Sequence, residues 1–442
     1  MSSRKAARSG FSLGLTRGKE PATDRGMQTK SLSILAVLVA VALTVAAKDN
    51  VLHSFKKITL SRDFYAEGAY FGDFNHDGKL DVVAGPFWFQ GPDFQKKYEY
   101  RPAKTFDPGG YSDNFLTFAY DFNGDGWTDI LVLDTPSAPA YWYENPQGKE
   151  GHWAKHLAFS AVDNESPSFG DLNDDGKPEL VFNTGGYLGY AMPDWDHPNE
   201  PWKFHPISPK GTWHKYTHGI GFGDVNGDGR TDFLEIGGWW ERPASLAGDP
   251  VWKLHPAKFG DGAAQMFAYD FNGDGKADIL TCLHPHQYGL AWFEQVSENG
   301  QIAFREHDFM GKKNEDNPYG VKMTQMHAFA LVDMDGDGIK DFVTGKRWWA
   351  HKPPTDPESD APAALYWFRT VRDGKGGVDF VPYLIDDDSG VGTQVVAQDL
   401  NGDGLPDVMV ANKKGMFIFM HQTKTVSQDE WEKAQPKRLQ PR

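Results

Sequence analysis

A nine-residue pattern returns seven times along these 442 residues: an oxygen-bearing side chain at positions 1, 3 and 5, glycine at 6, a variable residue at 7 and a carboxylate at 9. The copies read DFNHDGKLD from Asp73, DFNGDGWTD from Asp121, DLNDDGKPE from Asp171, DVNGDGRTD from Asp224, DFNGDGKAD from Asp270, DMDGDGIKD from Asp333 and DLNGDGLPD from Asp399. This spacing suits a hard cation, because Ca²⁺ takes six to eight oxygens and a tightly curled loop supplies them from alternate residues. The glycine (Gly78 in the first copy, Gly404 in the last) permits the sharp turn, since a residue without Cβ takes positive φ cheaply. Position 7 runs through Lys, Trp, Arg, Ile and Leu, as expected where only a backbone carbonyl is used.

The flanks exclude an EF-hand. Position 12 is Ala84, Val132 and Phe182 in the first three copies, where a bidentate Glu belongs. Short branched apolar runs follow the loops (DVVAG, DILVL, DFLEI, DILTC, DVMVA), and aromatic alternating segments such as FLTFAYD and HAFALVD precede them. Both read as strands, so the loop joins two strands of a sheet. Successive loops start 48, 50, 53, 46, 63 and 66 residues apart, a period that fits four-stranded propeller blades. An aromatic third strand (FWF, YWYEN, WWERP, LAWFEQ, LYWFRT) and a mixed fourth (WAKHLAF, WKFHPIS, WKLHPAK, FREHDFM, FVPYLID) complete the unit. The last repeat stops after its third strand, GMFIFMHQ, and HSFKKITL from His53 supplies the missing fourth. The expectation is an all-β, seven-bladed β-propeller of four-stranded blades, closed by the N-terminal strand so that no edge stays open.

Residues 1–47 hold a basic segment and the apolar run SLSILAVLVAVALTVAA, which reads as an extension and an export signal cleaved after Ala47, with Met27 a second possible start. A membrane anchor is the rival and would need about 20 apolar residues. Residues 48–422 form the propeller and 423–442 a tail that is a short solvated helix or disorder. The expected location is periplasmic, cell-surface or extracellular. A single cysteine, Cys282, excludes an internal disulfide framework, leaving bound metal as the staple. Without the first 47 residues, 38 Lys and Arg face 59 Asp and Glu, a net charge of -21 that resides almost wholly in the loops. There is no basic patch to suggest nucleic acid.

These motifs resemble the FG-GAP or VCBS repeats of secreted proteins, related to the seven-bladed head of integrin α chains, over about residues 50–422. The resemblance implies up to seven Ca²⁺, held by positions 1, 3, 5, 7 and 9 of each loop. In the first loop these are Asp73, Asn75, Asp77, Lys79 and Asp81, and in the second Asp121, Asn123, Asp125, Trp127 and Asp129. The third offers Asp171, Asn173, Asp175, Lys177 and Glu179, and the fourth Asp224, Asn226, Asp228, Arg230 and Asp232. The fifth offers Asp270, Asn272, Asp274, Lys276 and Asp278. Asp333, Asp335, Asp337, Ile339 and Asp341 follow in the sixth, and Asp399, Asn401, Asp403, Leu405 and Asp407 in the seventh. Glu179 at position 9 and His76 at position 4 of the first loop depart from the family pattern. Relatives include adhesion heads, lectins and accessory domains of polysaccharide-degrading enzymes, so the fold leaves function open.

The face opposite the loops is the default binding site. Five to seven residues upstream of each loop stand Glu67, Asn114, Glu165, His218, Gln265, His327 and Gln394, polar where a core would hold Val or Leu. The ends of the second strands add Asp134, Asn183, His284, His286, Lys346, Arg347 and Lys413. Such residues also serve simply to bond neighbouring blades. His284 and His286 with His218 or His327 have the chemistry of a transition-metal site. In TGKRWWAH, Lys346 and Arg347 with a ring stacking on Trp348 or Trp349 would grip an anionic sugar, whereas the WW pair at Trp239 and Trp240 suggests blade packing. The function expected is a binding module for polysaccharide or a cell-surface partner. The alternatives are a lyase with His218 or His327 as general base and Lys346 or Arg347 neutralising a carboxylate, and an integrin-like protein scaffold. No G-x-S-x-G, H-E-x-x-H or phosphate-loop motif argues for another enzyme.

Overall fold

A computed structural model describes residues 50–313 and 317–439; the expected export segment lies outside the described residues. Asp49–Arg442 is one compact unit of 28 strands with one helix, Gln428–Ala434, among the described residues. That helix is capped by Ser427, whose side chain accepts from the Glu430 amide. Among the described residues no helix is long and apolar enough to cross a membrane.

Each nine-residue loop joins an inner strand to an antiparallel second strand, as the flanking sequences require. In the second repeat Leu116–Tyr120 pairs with Asp129–Leu133, followed by Ala140–Glu144 and Ala154–Phe159. The second strand is buried along its whole length, because both faces of the sheet are covered by its neighbours, and its sequence DILVL is therefore apolar without alternation. Apolar side chains fill the space between consecutive sheets: Phe122, Trp142 and Leu131 meet Leu180, Phe182 and Trp202, for example. Val82, Phe87 and Phe89 of the first repeat likewise meet Met409, Met416 and Ile418 of the last. Val51–Ser61 pairs antiparallel with Gly415–Thr425 and completes the last sheet.

The arrangement is propeller-like, but the expected seven separate blades are not present. Five sheets have four strands, and a sixth has eight. In the eight-stranded sheet the inner strands Ile220–Gly223 and Gln265–Tyr269 pair in parallel, Ile220 with Gln265 and Phe222 with Phe267. The cause is local. A Cβ on Gly221 would lie 2.0 Å from the Met266 carbonyl oxygen, and one on Gly223 would lie 2.7 Å from the Ala268 Cβ. Two glycines on one inner strand thus let two backbones approach to hydrogen-bonding distance where side chains would hold them apart. Gly221→Ala is expected to cost about 1–3 kcal/mol, the usual range for overpacking, since the opposing atom is backbone. Urea denaturation measures this; a midpoint equal to that of the parent protein would refute the account.

The ninth loop position is a latch between strands. In six loops its carboxylate accepts the amide of loop position 2 on one oxygen and an amide of the third-strand segment on the other. Asp129 takes Phe122 N at 2.9 Å and Asn145 N at 2.8 Å, and Asp278 takes Phe271 N at 3.1 Å and Gln295 N at 2.8 Å. Glu179, one methylene longer, folds back on its own loop and accepts from Leu172 N, Asn173 N and the Asn173 side-chain amide.

Candidate functional site at the channel mouth

Two kinds of site emerge. The first is the set of loops. In the fifth, Asp270 accepts the amides of Asp274 and Gly275, Asn272 Oδ1 accepts Asp274 N, and Asp274 Oδ1 accepts Lys276 N, so oxygens from positions 1, 3 and 5 curl toward one another. In the sixth, one oxygen each of Asp333, Asp335 and Asp341 lies within 4.8 Å of the others. Burial, with neighbouring loop carboxylates adding to it, pushes Asp129 up to about 8 and Asp278 up to about 7. An all-oxygen, charge-dense donor set of this kind fits a hard divalent cation. In the sixth loop an arginine from outside the loop pairs with two of its acids: Arg369 Nε lies 2.6 Å from Asp335 and Nη2 2.9 Å from Asp337.

The second site lies around the axis. Inner strands of all seven repeats line a cavity of about 480 Å³, with Phe71, Phe118, Phe169, Phe222 and Phe267 on its walls. The seven polar residues read from the upstream positions divide at one end of it. Gln265 and Gln394 bond backbone: Gln265 Nε2 donates to Thr393 O while its Oε1 accepts Phe329 N, and Gln394 brackets Thr117. Asn114 bonds the Thr117 hydroxyl. These three serve the structure.

Glu67, Glu165, His218 and His327 converge instead on Arg347. Its backbone is pinned on both sides, with Arg347 N donating to Gln325 O and Trp348 N to Val391 O. The guanidinium, 2% exposed, reaches across the axis to Glu67 at 3.1 Å and Glu165 at 3.2 Å. Burial pushes the Glu165 carboxyl up, but His218, 3.6 Å away, and Arg347 outweigh it and hold it at about 2.

Beside this pair the histidines gather. The Gln325 amide donates to Gln287 O and so sets the segment carrying His327 against the turn carrying His284 and His286. The His286 and His327 ring centroids are 4.7 Å apart, and His218 lies 5.2 Å from the first and 5.4 Å from the second. His351 stacks on His286, and Asp356 lies 3.1 Å from His351 and 3.7 Å from His286. Burial lowers the His286 pKa and drives that of His327 well below its ordinary value. His284 stands at the edge, 6.2 Å from His286, its Nδ1 accepting the His286 amide.

The cations read from TGKRWWAH are not free to grip a ligand. Lys346 Nζ donates to the carbonyls of Glu358 and Ser359, and Arg347 is held by its two glutamates. The two WW pairs are not equivalent either: Trp239 and Trp240 are buried in a third strand, while Trp348 and Trp349 sit half-buried in the turn after Asp341–Gly345. Among the other second-strand ends, Asn183 is buried and bonds Asn164 and His214 O. Lys413 takes the expected cationic place. Its ammonium, which burial lowers to about 8, sits 4.6 Å from the Tyr111 ring centroid and 5.4 Å from that of Trp349. Lys414 lies 4.5 Å from the Trp348 ring. Tyr111, 43% exposed and fixed by a hydrogen bond from its hydroxyl to Ala350 O, escaped the sequence reading, because nothing in its own segment marks it as a neighbour of residues 348–350.

An FG-GAP-like repeat family model matches residues 121–182. No curated protein sequence matches the chain. Among solved structures, an Agrocybe aegerita lectin that recognises non-reducing terminal N-acetylglucosamine is similar at 18% identity and a TM-score of 0.45, over 76% of this chain and 81% of that one. The V. cholerae biofilm matrix protein Bap1 is similar at 11% identity and a TM-score of 0.40, over 87% and 92%. An auxiliary nutrient binding protein from Bacteroides ovatus is similar at 9% identity and 0.41, over 78% and 84%.

Proposed function

We propose that this chain is an exported binding module, stabilised by calcium in its loops, for a polysaccharide carrying acidic groups. The observation that carries the reading is the Tyr111–Lys413–Trp349 cluster. A sugar ring stacks on an aromatic face through its C–H groups, and an ammonium already stripped of part of its water attracts a carboxylate more strongly than a solvated one. Tyr111 is held in place before any ligand arrives, so little ordering entropy is lost on binding. The calcium assignment is supported by the donor set of the loops and by the single cysteine, which leaves metal as the staple, and the export assignment by the apolar run that ends at Ala47.

The test is a glycan array of neutral and uronic-acid polysaccharides probed with the full chain in calcium, alongside Tyr111→Ala and Lys413→Met. Binding to acidic polysaccharides is expected to weaken about tenfold or more in Tyr111→Ala, in keeping with an aromatic contact of about 0.5–1.5 kcal/mol plus lost burial. Lys413→Met should lose the preference for acidic over neutral chains. A folded protein that binds no glycan, or variants that bind as the parent does, would overturn the proposal and turn attention to protein partners.

A further inference from the structure

We propose that His218, His286 and His327 hold a divalent transition cation of the zinc class at the channel mouth, a site separate from the loops and independent of sugar binding. One ring nitrogen of each histidine lies within 4.8 Å of one from each of the other two. Each of the three also carries a buried ring nitrogen without a hydrogen-bond partner: His218 Nε2, His286 Nδ1 and His327 Nε2. A buried nitrogen without a hydrogen bond is costly, and three that face one another in one cluster are open to a shared cation.

The protonation pattern fits a cation and not a shared proton. His327 Nδ1 lies 3.1 Å from the Gln325 carbonyl, which can only accept, so that nitrogen bears the hydrogen and Nε2 keeps its lone pair. A ring oriented by a backbone carbonyl in this way is the usual support of a metal-ligating histidine. The unpaired nitrogens of the other two rings face carboxylates, His286 Nδ1 toward Asp356 at 3.7 Å and His218 Nε2 toward Glu165 at 3.6 Å, so negative charge stands beside the place an ion would take. The charge of Arg347 is already matched by Glu67 and Glu165, leaving the cluster hospitable to a further positive charge. Imidazole donors select zinc-class ions over calcium, which prefers oxygen. Tetrahedral bonds of about 2.0–2.1 Å put ligand nitrogens roughly 3.3 Å apart, within reach of small ring rotations from the observed spacing. Three protein ligands leave a fourth position for solvent or an anionic oxygen.

The experiment titrates Co²⁺ into the full chain, stripped of metals and returned to excess Ca²⁺ so that oxygen sites are filled, and reads the visible absorption of nitrogen-ligated cobalt. One equivalent is expected to bind with that spectrum and to be displaced by Zn²⁺. His327→Gln and, as a more exposed second variant, His218→Gln should each weaken binding at least about 100-fold. Thermal melts in calcium establish that the variants fold. The proposal is overturned if the parent protein binds no stoichiometric Co²⁺ in excess calcium, or if both glutamine variants bind as tightly as the parent. Loss of binding in His351→Ala with retention in His218→Gln would also overturn it, by moving the ion to the outer group of His286, His351 and Asp356.

Discussion

Chelating calcium from the full chain is expected to lower the midpoint of its thermal unfolding by about 10 °C or more, and returning Ca²⁺, but not equimolar Mg²⁺, to restore it. A ligand that binds only the native state at 100 times its dissociation constant adds about 2.7 kcal/mol per site. A kilocalorie moves the midpoint of a 150–250-residue protein by about 2–4 °C and that of a larger chain by less. Several occupied loops therefore suffice for a shift of this size. The electrostatics gives the same sign. Asp81, Asp129, Asp232 and Asp407 are buried carboxyls pushed above their ordinary range first by burial and then by the carboxylates at positions 5 and 1 of the same loop. A divalent ion among them replaces that repulsion with attraction. Mg²⁺ gives up its water reluctantly and demands an octahedron, so it should not substitute. Differential scanning calorimetry in calcium and in chelator decides the matter; superimposable curves would end the calcium assignment.

Replacing Arg347 by methionine destabilises the protein by about 3–5 kcal/mol, the cost of breaking a buried ion pair by removing one partner. Glu67 is 1% exposed and Glu165 12%, so neither carboxylate can turn to water when the guanidinium is gone. The triple variant Arg347→Met, Glu67→Gln, Glu165→Gln should recover most of the loss, because a well-packed neutral cluster stands near the charged one in stability. Urea denaturation at neutral pH measures both. A single variant within about 0.5 kcal/mol of the parent would show that the glutamates find other partners and that Arg347 is no keystone of the channel mouth.

The sequence carried the repeat unit well because each part of it is local. The loop needs its glycine and acids at fixed spacing, and strands such as Asp129–Leu133 and Ala140–Glu144 follow at once with apolar and aromatic residues. Fourth strands were legible through motifs such as WAKHLAF and WKLHPAK, and the structure supplies their reason: His156 stacks on Trp142 and His255 on Trp239 across the sheet. Lys97–Glu99 and Tyr187–Met192 escaped, the first for its shortness and polarity, the second for a glycine in mid-strand. What joins distant repeats was hidden. Nothing in GIGFGD states that its glycines meet Gln265–Tyr269, and nothing in TGKRWW states that its arginine crosses the axis to residues 280 and 182 positions away in the chain. The double duty of the ninth loop carboxylate was also invisible, since accepting two amides leaves no mark in sequence beyond the acid itself.

The pairing of Val51–Ser61 with Gly415–Thr425 has a mechanical meaning. The register runs from Val51 opposite Thr425 to Ser61 opposite Met416, so the first residue of one strand lies beside the last of the other. Tension applied through both segments at once would load these bonds one after another, like a zipper, and not all together in shear. Pulled from both ends, the molecule therefore opens at this seam one pair at a time. Tethered through one end only, it transmits no load through this seam.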